Sequence, residues 1–193
     1  KAIYDFGHDH AELYNNLPIS ISIGIAELQT AEGGAPSEGA MALIGRVVPI
    51  KDVKSFITAA GLLRQRVPDL AARIIGPVDE DPPYYEECRA LVGELGLEGC
   101  VEFTGAVNIV EYLPEIHVAV LSSLSESQPL VVLEAGAAGI PFVATNVGSC
   151  REIIEGRKDE SPHLGPGGMV TDLVAPGQIA RLEQDLRVFY WPM

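Results

Sequence analysis

Positive charge is what this sequence has least of. Lys and Arg together number 13 against 27 Asp and Glu, a formal net charge of −14 in 193 residues. A surface that acidic repels nucleic acid and anionic membranes, so neither is expected as a partner. An anionic small ligand remains compatible wherever a few cations are gathered locally. Cysteine is scarce too. Cys88, Cys100 and Cys150 are odd in number and show no CxxC spacing, which fits free thiols in a reducing compartment better than a disulfide framework or a zinc site. No apolar run approaches the roughly 18 residues of a membrane span, and neither a span nor a secretory leader is expected. A cytoplasmic location is the expectation.

What is present is ordinary globular composition, 47% hydrophobic with 20 glycines, in a length suited to one sizeable domain. Residues 1–40 pattern poorly. "ISISIGIAEL" (19–28) alternates like a strand, and "AEGGAPSEGA" (31–40) has linker composition. From residue 41 the pattern is regular. Apolar strand-like runs at 41–48, 71–77, 100–107, 118–124, 141–148 and 168–172 alternate with helical segments at 52–67, 82–96, 109–116, 129–139, 151–156 and 175–191. In the first helix Val53, Phe56, Ile57, Ala60 and Leu63 recur at helical spacing, with Asp52 as cap and Pro68 as stop. Strands joined by helical crossovers predict an α/β fold, a doubly wound, parallel, six-stranded Rossmann-like sheet. Ligands of such sheets bind at the carboxyl ends of the strands.

Three segments that follow strands carry chemistry. In "GRVVPIKD" (45–52), Gly45 permits a close backbone approach, and Arg46 and Lys51 place two cations beside a helix start, a fit for a diphosphate. Ordinary solvated cations are the plainer reading. In "SESQPLVVLEAGAAGIP" (125–141), Pro129 suits the first helical turn and leaves the amides of Leu130 and Val131 to face an anion. Glu126 lies just outside that helix and Glu134 inside it, about 12 Å apart if both followed the helix axis. That is roughly the span of a nucleotide-sugar, and carboxylates accept hydrogen bonds from sugar and ribose hydroxyls. A capping acid and a solvated helix residue are the alternative. In "NVGSCRE" (146–152), Gly148 allows a tight turn and Ser149 a contact to phosphate, or a plain turn and cap. His8 and His10 lack metal-ligand neighbours, His117 reads as structural, and "HLGPGG" (163–168) reads as a turn without phosphate-loop spacing. No metal site is expected.

Together, "GRVVPIKD" and "SLSESQPLVVLEAGAAGIPFVATNVGSCREII" resemble the carboxyl-terminal, donor-binding domain of family 4 retaining glycosyltransferases, one half of a GT-B fold. "ALIGRVVPIKDVKSFI" with "GSCREIIEG" is most similar to the Pel exopolysaccharide branch. The resemblance implies a donor domain over 41–193, with 1–40 leading in from an absent amino-terminal domain. It implies that Arg46 and Lys51 bind the donor diphosphate, Glu126 the sugar hydroxyls and Glu134 the ribose, with Glu126, Arg46 and Lys51 serving catalysis. The amides around Gln128, Leu130 and Val131 would cover phosphate and sugar. Gly45, Gly76, Val107 and Asn108 would border the nucleotide, the base lying near the last three. The substrate would be a nucleotide-sugar, a UDP-hexose by preference, used without a cofactor or metal. The partners would be a glycan acceptor held through the absent domain and, in the full-length protein, a membrane export complex. The isolated chain is expected to bind donor weakly and transfer nothing. Ser127, Gln128 and Ser149 depart from the family pattern, which bears on the sugar more than on the diphosphate. A stand-alone nucleotide-sugar binding module is the alternative. A sugar-nucleotide epimerase would need an acid and His constellation that the sequence does not offer.

Overall fold

The structure, a computed structural model, describes residues 40–65, 67–154, 163–165 and 168–171. The expected strand at 19–28, the linker, His8, His10 and the last helix at 175–191 lie outside the described residues. Strands β1 (Ala40–Ile44), β2 (Ala71–Ile75), β3 (Val101–Gly105), β4 (Val118–Leu121), β5 (Phe142–Thr145), β6 (His163–Gly165) and β7 (Gly168–Thr171) form one sheet in the order β3-β2-β1-β4-β5-β7-β6. Six of them are parallel, as the alternation of runs predicts, and β6 pairs antiparallel to β7. The six residues 163–168, expected as a turn, therefore begin with a short edge strand. The edge of β7 offers unpaired backbone groups, and pairing with them settles three residues that have no strand pattern of their own.

Helices α1 (Val53–Arg64) and α2 (Pro82–Glu94) cover one face. Helices α3 (Ile109–Tyr112), α4 (Leu130–Ala137) and α5 (Cys150–Ile154) cover the other. The expected helix at 109–116 splits into α3 and a 3-10 turn, Leu113–Glu115. Pro114 has no N–H for an α-helical bond, which explains the change. Pro129 is also displaced from its expected place: it is the residue before α4, with extended backbone (φ −74°, ψ 105°), and Leu130 is the first helical residue.

The two faces bury separate cores. Along β1, Met41 and Leu43 face α1 and α2, while Ala42 faces α4 and α5. Along β4, Val118 and Val120 take the first side and Ala119 and Leu121 the second. Strands apolar on both faces are what a covered parallel sheet requires. Phe56, Ile57, Met41 and Ile74 centre the first core, and Phe142, Ile154 and Val132 the second. Cys88, Cys100 and Cys150 are all buried and unbridged, and burial pushes the Cys88 and Cys150 thiols up to about 11. They remain protonated, packed as small hydrophobes at neutral pH.

Phe56 is fully buried between α1 and the sheet. Phe56→Ala is expected to lower stability by about 3–5 kcal/mol, read as a fall in the urea midpoint at unchanged slope.

Candidate functional site

β1 and β4 are neighbours at the centre of the sheet, and the strand order reverses between them. The chain leaving β1 turns toward α1, and the chain leaving β4 turns toward α4. A crevice opens where they part. The β1 exit descends through a 3-10 turn, Pro49–Lys51, into Asp52, which adopts a left-handed conformation (φ 46°). Asp52 caps α1: its carboxylate accepts from the Ser55 amide at 3.4 Å and from the Ser55 hydroxyl at 2.5 Å. This cap, expected from the sequence, fixes the direction in which Lys51 leaves the loop.

Lys51 Nζ donates to Glu126 Oε1 at 2.5 Å, and the two side chains are 19% and 15% exposed. The Ser123 hydroxyl donates to the same oxygen at 2.7 Å. The Ser122 hydroxyl donates to the Lys51 carbonyl at 2.9 Å, and the Leu124 amide to the Ile50 carbonyl at 2.8 Å. Leu43, Ile44, Leu121 and the two serines line a small recess beneath Lys51. A larger groove of about 290 Å³ lies between α4 and α5, but Leu133, Ile140, Phe142 and Ile153 make its walls largely hydrocarbon. The polar chemistry is at the recess.

The remaining expected residues are distributed around this point. Arg46 pairs with Glu80 of the β2 exit at 2.7 Å, but both side chains are exposed, so the pair holds weakly. Gly45 donates its amide to the Ile75 carbonyl, and Gly76 to the Gly105 carbonyl, tying the exits of β1, β2 and β3 together. A Cβ on Gly76 would lie 2.2 Å from the Gly45 carbonyl oxygen, so this approach requires glycine. Val107 is exposed beyond β3. Asn108 instead serves as the cap of α3, accepting from the Val110 amide and donating to Glu111. Both ends of its amide therefore have protein partners at the β3 exit.

On the α4 side, Gln128, Leu130 and Glu134 are exposed and Val131 is half-buried. The apolar flanks of Glu134 do not bury it, because α4 turns Val132 and Ala135 inward and Glu134 outward. Among the described residues Glu134 makes no ion pair. The first amides of α4 have no intrahelical acceptor, as at any helix start. Gly148, in a left-handed conformation (φ 52°), lies directly against the loop after β4: a Cβ there would sit 2.2 Å from the Ser127 carbonyl oxygen. The Ser149 amide donates to that same carbonyl at 3.0 Å. The Ser149 hydroxyl is buried without a partner among the described residues.

Ser122, Ser123 and Thr145 were not expected from the sequence. Thr145, 4% exposed at the end of β5, donates to the Ser123 carbonyl at 2.6 Å. The Ser-x-x-Glu spacing of Ser123 and Glu126 is a readable signal of a local hydroxyl–carboxylate contact. Nothing in the sequence announces Thr145.

Residues 39–185 match the family model described as "Glycosyl transferases group 1". The chain belongs to the group 1 glycosyltransferases. Among curated members of this family, it is 32% identical over 144 residues to the D-inositol 3-phosphate glycosyltransferase of Paenarthrobacter aurescens, covering 67% of this chain and 33% of that protein. It is 33% identical over 126 residues to a GDP-mannose-dependent alpha-(1-6)-phosphatidylinositol monomannoside mannosyltransferase of Mycobacterium tuberculosis, covering 60% of this chain and 31% of that one. The chain thus spans about a third of these relatives' length. Among solved structures, Anabaena Alr3699/HepE in complex with UDP and glucose is 25% identical with a TM-score of 0.59, covering 92% of this chain and 44% of that one. The carboxyl-terminal domain of a group 1 glycosyl transferase (LpcC) from Francisella tularensis shares the fold, with a TM-score of 0.59 at 24% identity over 86% of this chain and 80% of that domain.

The packing of Gly148 on Ser127 yields a test. Gly148→Ala meets backbone and a left-handed conformation together, and is expected to lower the melting temperature and speed hydrogen exchange at the Ser149 amide. Gly139→Ala shares the positive φ (75°) but meets open space, so it is to cost only the conformational strain of about 1 kcal/mol.

Proposed function

We propose that this group 1 glycosyltransferase domain binds the nucleotide-sugar donor, a UDP-hexose by preference, across the crevice between the exits of β1 and β4. The observation that carries the reading is the meeting of Lys51, from one loop, with Glu126, from the other, beside the amino-terminal end of α4. A cation, a carboxylate and free amides within one partly dry crevice match a ligand that is anionic at its centre and hydroxylated at its ends. The UDP and glucose complex of HepE supports the donor class. The GDP-mannose named for the mycobacterial relative marks the base as the less constrained part.

In this reading the donor diphosphate takes Lys51 from Glu126, and Arg46 leaves its exposed partner Glu80 for the same phosphates. Each exchange replaces one charge-assisted bond with another, so little net cost attends it. The amides of Leu130 and Val131 face the phosphates. Glu126, still held by Ser123, turns to the hexose hydroxyls, and Glu134 meets the ribose. The base lies by Gly76, Val107 and Asn108. Transfer would proceed with retention and without a resident metal, and Arg46 and Lys51 would stabilise charge on the departing diphosphate. The acceptor would come from a partner domain facing this crevice, in cytoplasmic synthesis of an exopolysaccharide coupled to a membrane export complex. The chain alone would bind donor and transfer nothing, because closure against a second domain is what excludes water and orients an acceptor. A stand-alone binding module would share the donor site. Sugar transfer by the chain joined to an amino-terminal domain separates the two.

Titration calorimetry with UDP and UDP-glucose tests the site. Lys51→Ala and Arg46→Ala are each expected to weaken UDP by about 1.5–3 kcal/mol, the Lys51 variant more, since it also leaves Glu126 uncompensated. Unchanged UDP affinity in both would place the diphosphate elsewhere.

Glu134→Gln is expected to weaken both ligands alike, because ribose is common to them. Glu126→Gln is expected to weaken UDP-glucose while UDP affinity holds or rises, since Lys51 loses a competing partner. Equal loss of UDP in both Glu variants would overturn the assignment of sugar and ribose to opposite ends.

A further inference from the structure

The contacts of Glu126 with described residues both fall on one carboxylate oxygen. Oε1 takes the Lys51 ammonium at 2.5 Å and the Ser123 hydroxyl at 2.7 Å. If the diphosphate draws Lys51 away, the Ser123 hydroxyl is the contact that remains. Ser123 is itself held from the next strand. Thr145, at the carboxyl end of β5, donates to the Ser123 carbonyl at 2.6 Å, and its oxygen lies 3.3 Å from the Leu121 carbonyl. Ser122, Ser123 and Thr145 are 1%, 1% and 4% exposed. A hydroxyl that dry holds one rotamer, since any other would leave it unpaired. Glu126 itself is only partly buried and sits on a loop outside any helix or strand. Nothing in its own backbone fixes its carboxylate.

We propose that Ser123 and Thr145 are positioning residues for Glu126: a chain of hydroxyls and carbonyls running from β5 through the β4 exit keeps the carboxylate aimed at the hexose once Lys51 has turned to the diphosphate. Lys51 is supported separately, through its backbone, by the Ser122 hydroxyl. The two halves of the ion pair therefore have independent supports, and one can be exchanged while the other stays in place. The proposal rests on the donor site described above. It adds residues that touch no ligand and act on the sugar end alone.

The test is a double-mutant cycle on the full chain, titrated with UDP and with UDP-glucose. Ser123→Ala is expected to weaken UDP-glucose about three- to tenfold and leave UDP within twofold. In the Glu126→Gln background the same change should have no further effect on UDP-glucose. Thr145→Val is to reproduce the Ser123→Ala profile, and Thr145→Ser, which keeps the hydroxyl, is to restore it. A melting curve for each variant establishes that it is folded; the two serine–threonine sites serve as independent routes should one variant not fold. Equal loss of both ligands in Ser123→Ala, or additive losses in the Glu126→Gln background, would mean a structural role only and would overturn the proposal while leaving the donor site intact. Wild-type chain that binds neither UDP nor UDP-glucose would overturn the site itself, and the positioning role with it.

Discussion

A parallel sheet whose strand order reverses at its centre forces two loops to leave neighbouring strands in opposite directions. Groups from those loops meet only above the gap between the strands. Lys51 and Glu126 are such groups, and their contact needs β1 beside β4, Asp52 capping α1 and Pro129 opening α4. The pair is about one-sixth exposed. At that depth a cation and a carboxylate interact more strongly than at the surface, yet each still reaches solvent and can change partner. Arg46 and Glu80, a similar pair in more open surroundings, hold far less firmly.

The architecture was legible because it repeats. Six apolar runs spaced by amphipathic segments leave a parallel α/β sheet as the economical arrangement, and the six parallel strands follow it. Where local chemistry overrides periodicity, the reading slipped. Pro114 breaks one helix, Pro129 stands one place before its helix, and β6 forms because β7 offers it an edge. None of these is a matter of hydrophobic pattern, and so a pattern does not reveal them.

The site was legible in part for a related reason. Arg46, Lys51 and Glu126 stand out because a charge beside a strand exit is unusual in an apolar stretch. Ser123 and Thr145 do not stand out. They lie 22 residues apart and look like ordinary strand-end polar residues, and only the pairing of β4 with β5 brings the Thr145 hydroxyl to the Ser123 carbonyl. Asn108 carries a local role that its residue type alone leaves open. Its side chain accepts from the Val110 amide, two residues on, and so caps α3.

The outer part of the loop after β4 is fastened on both flanks by backbone bonds, Leu124 to Ile50 on one side and Ser127 to Ser149 on the other, with Gly148 pressed against the Ser127 carbonyl. Main-chain bonds do not depend on which side chains the loop carries. Ser125, Ser127 and Gln128 all project outward as exposed residues from a backbone that is already fixed. A ligand entering here finds the loop ordered beforehand, so its arrival freezes few additional torsions, and the entropy that a mobile loop would forfeit has been surrendered during folding. The same rigid frame lets exposed positions on the loop exchange one side chain for another with little disturbance to the carboxylate beside them.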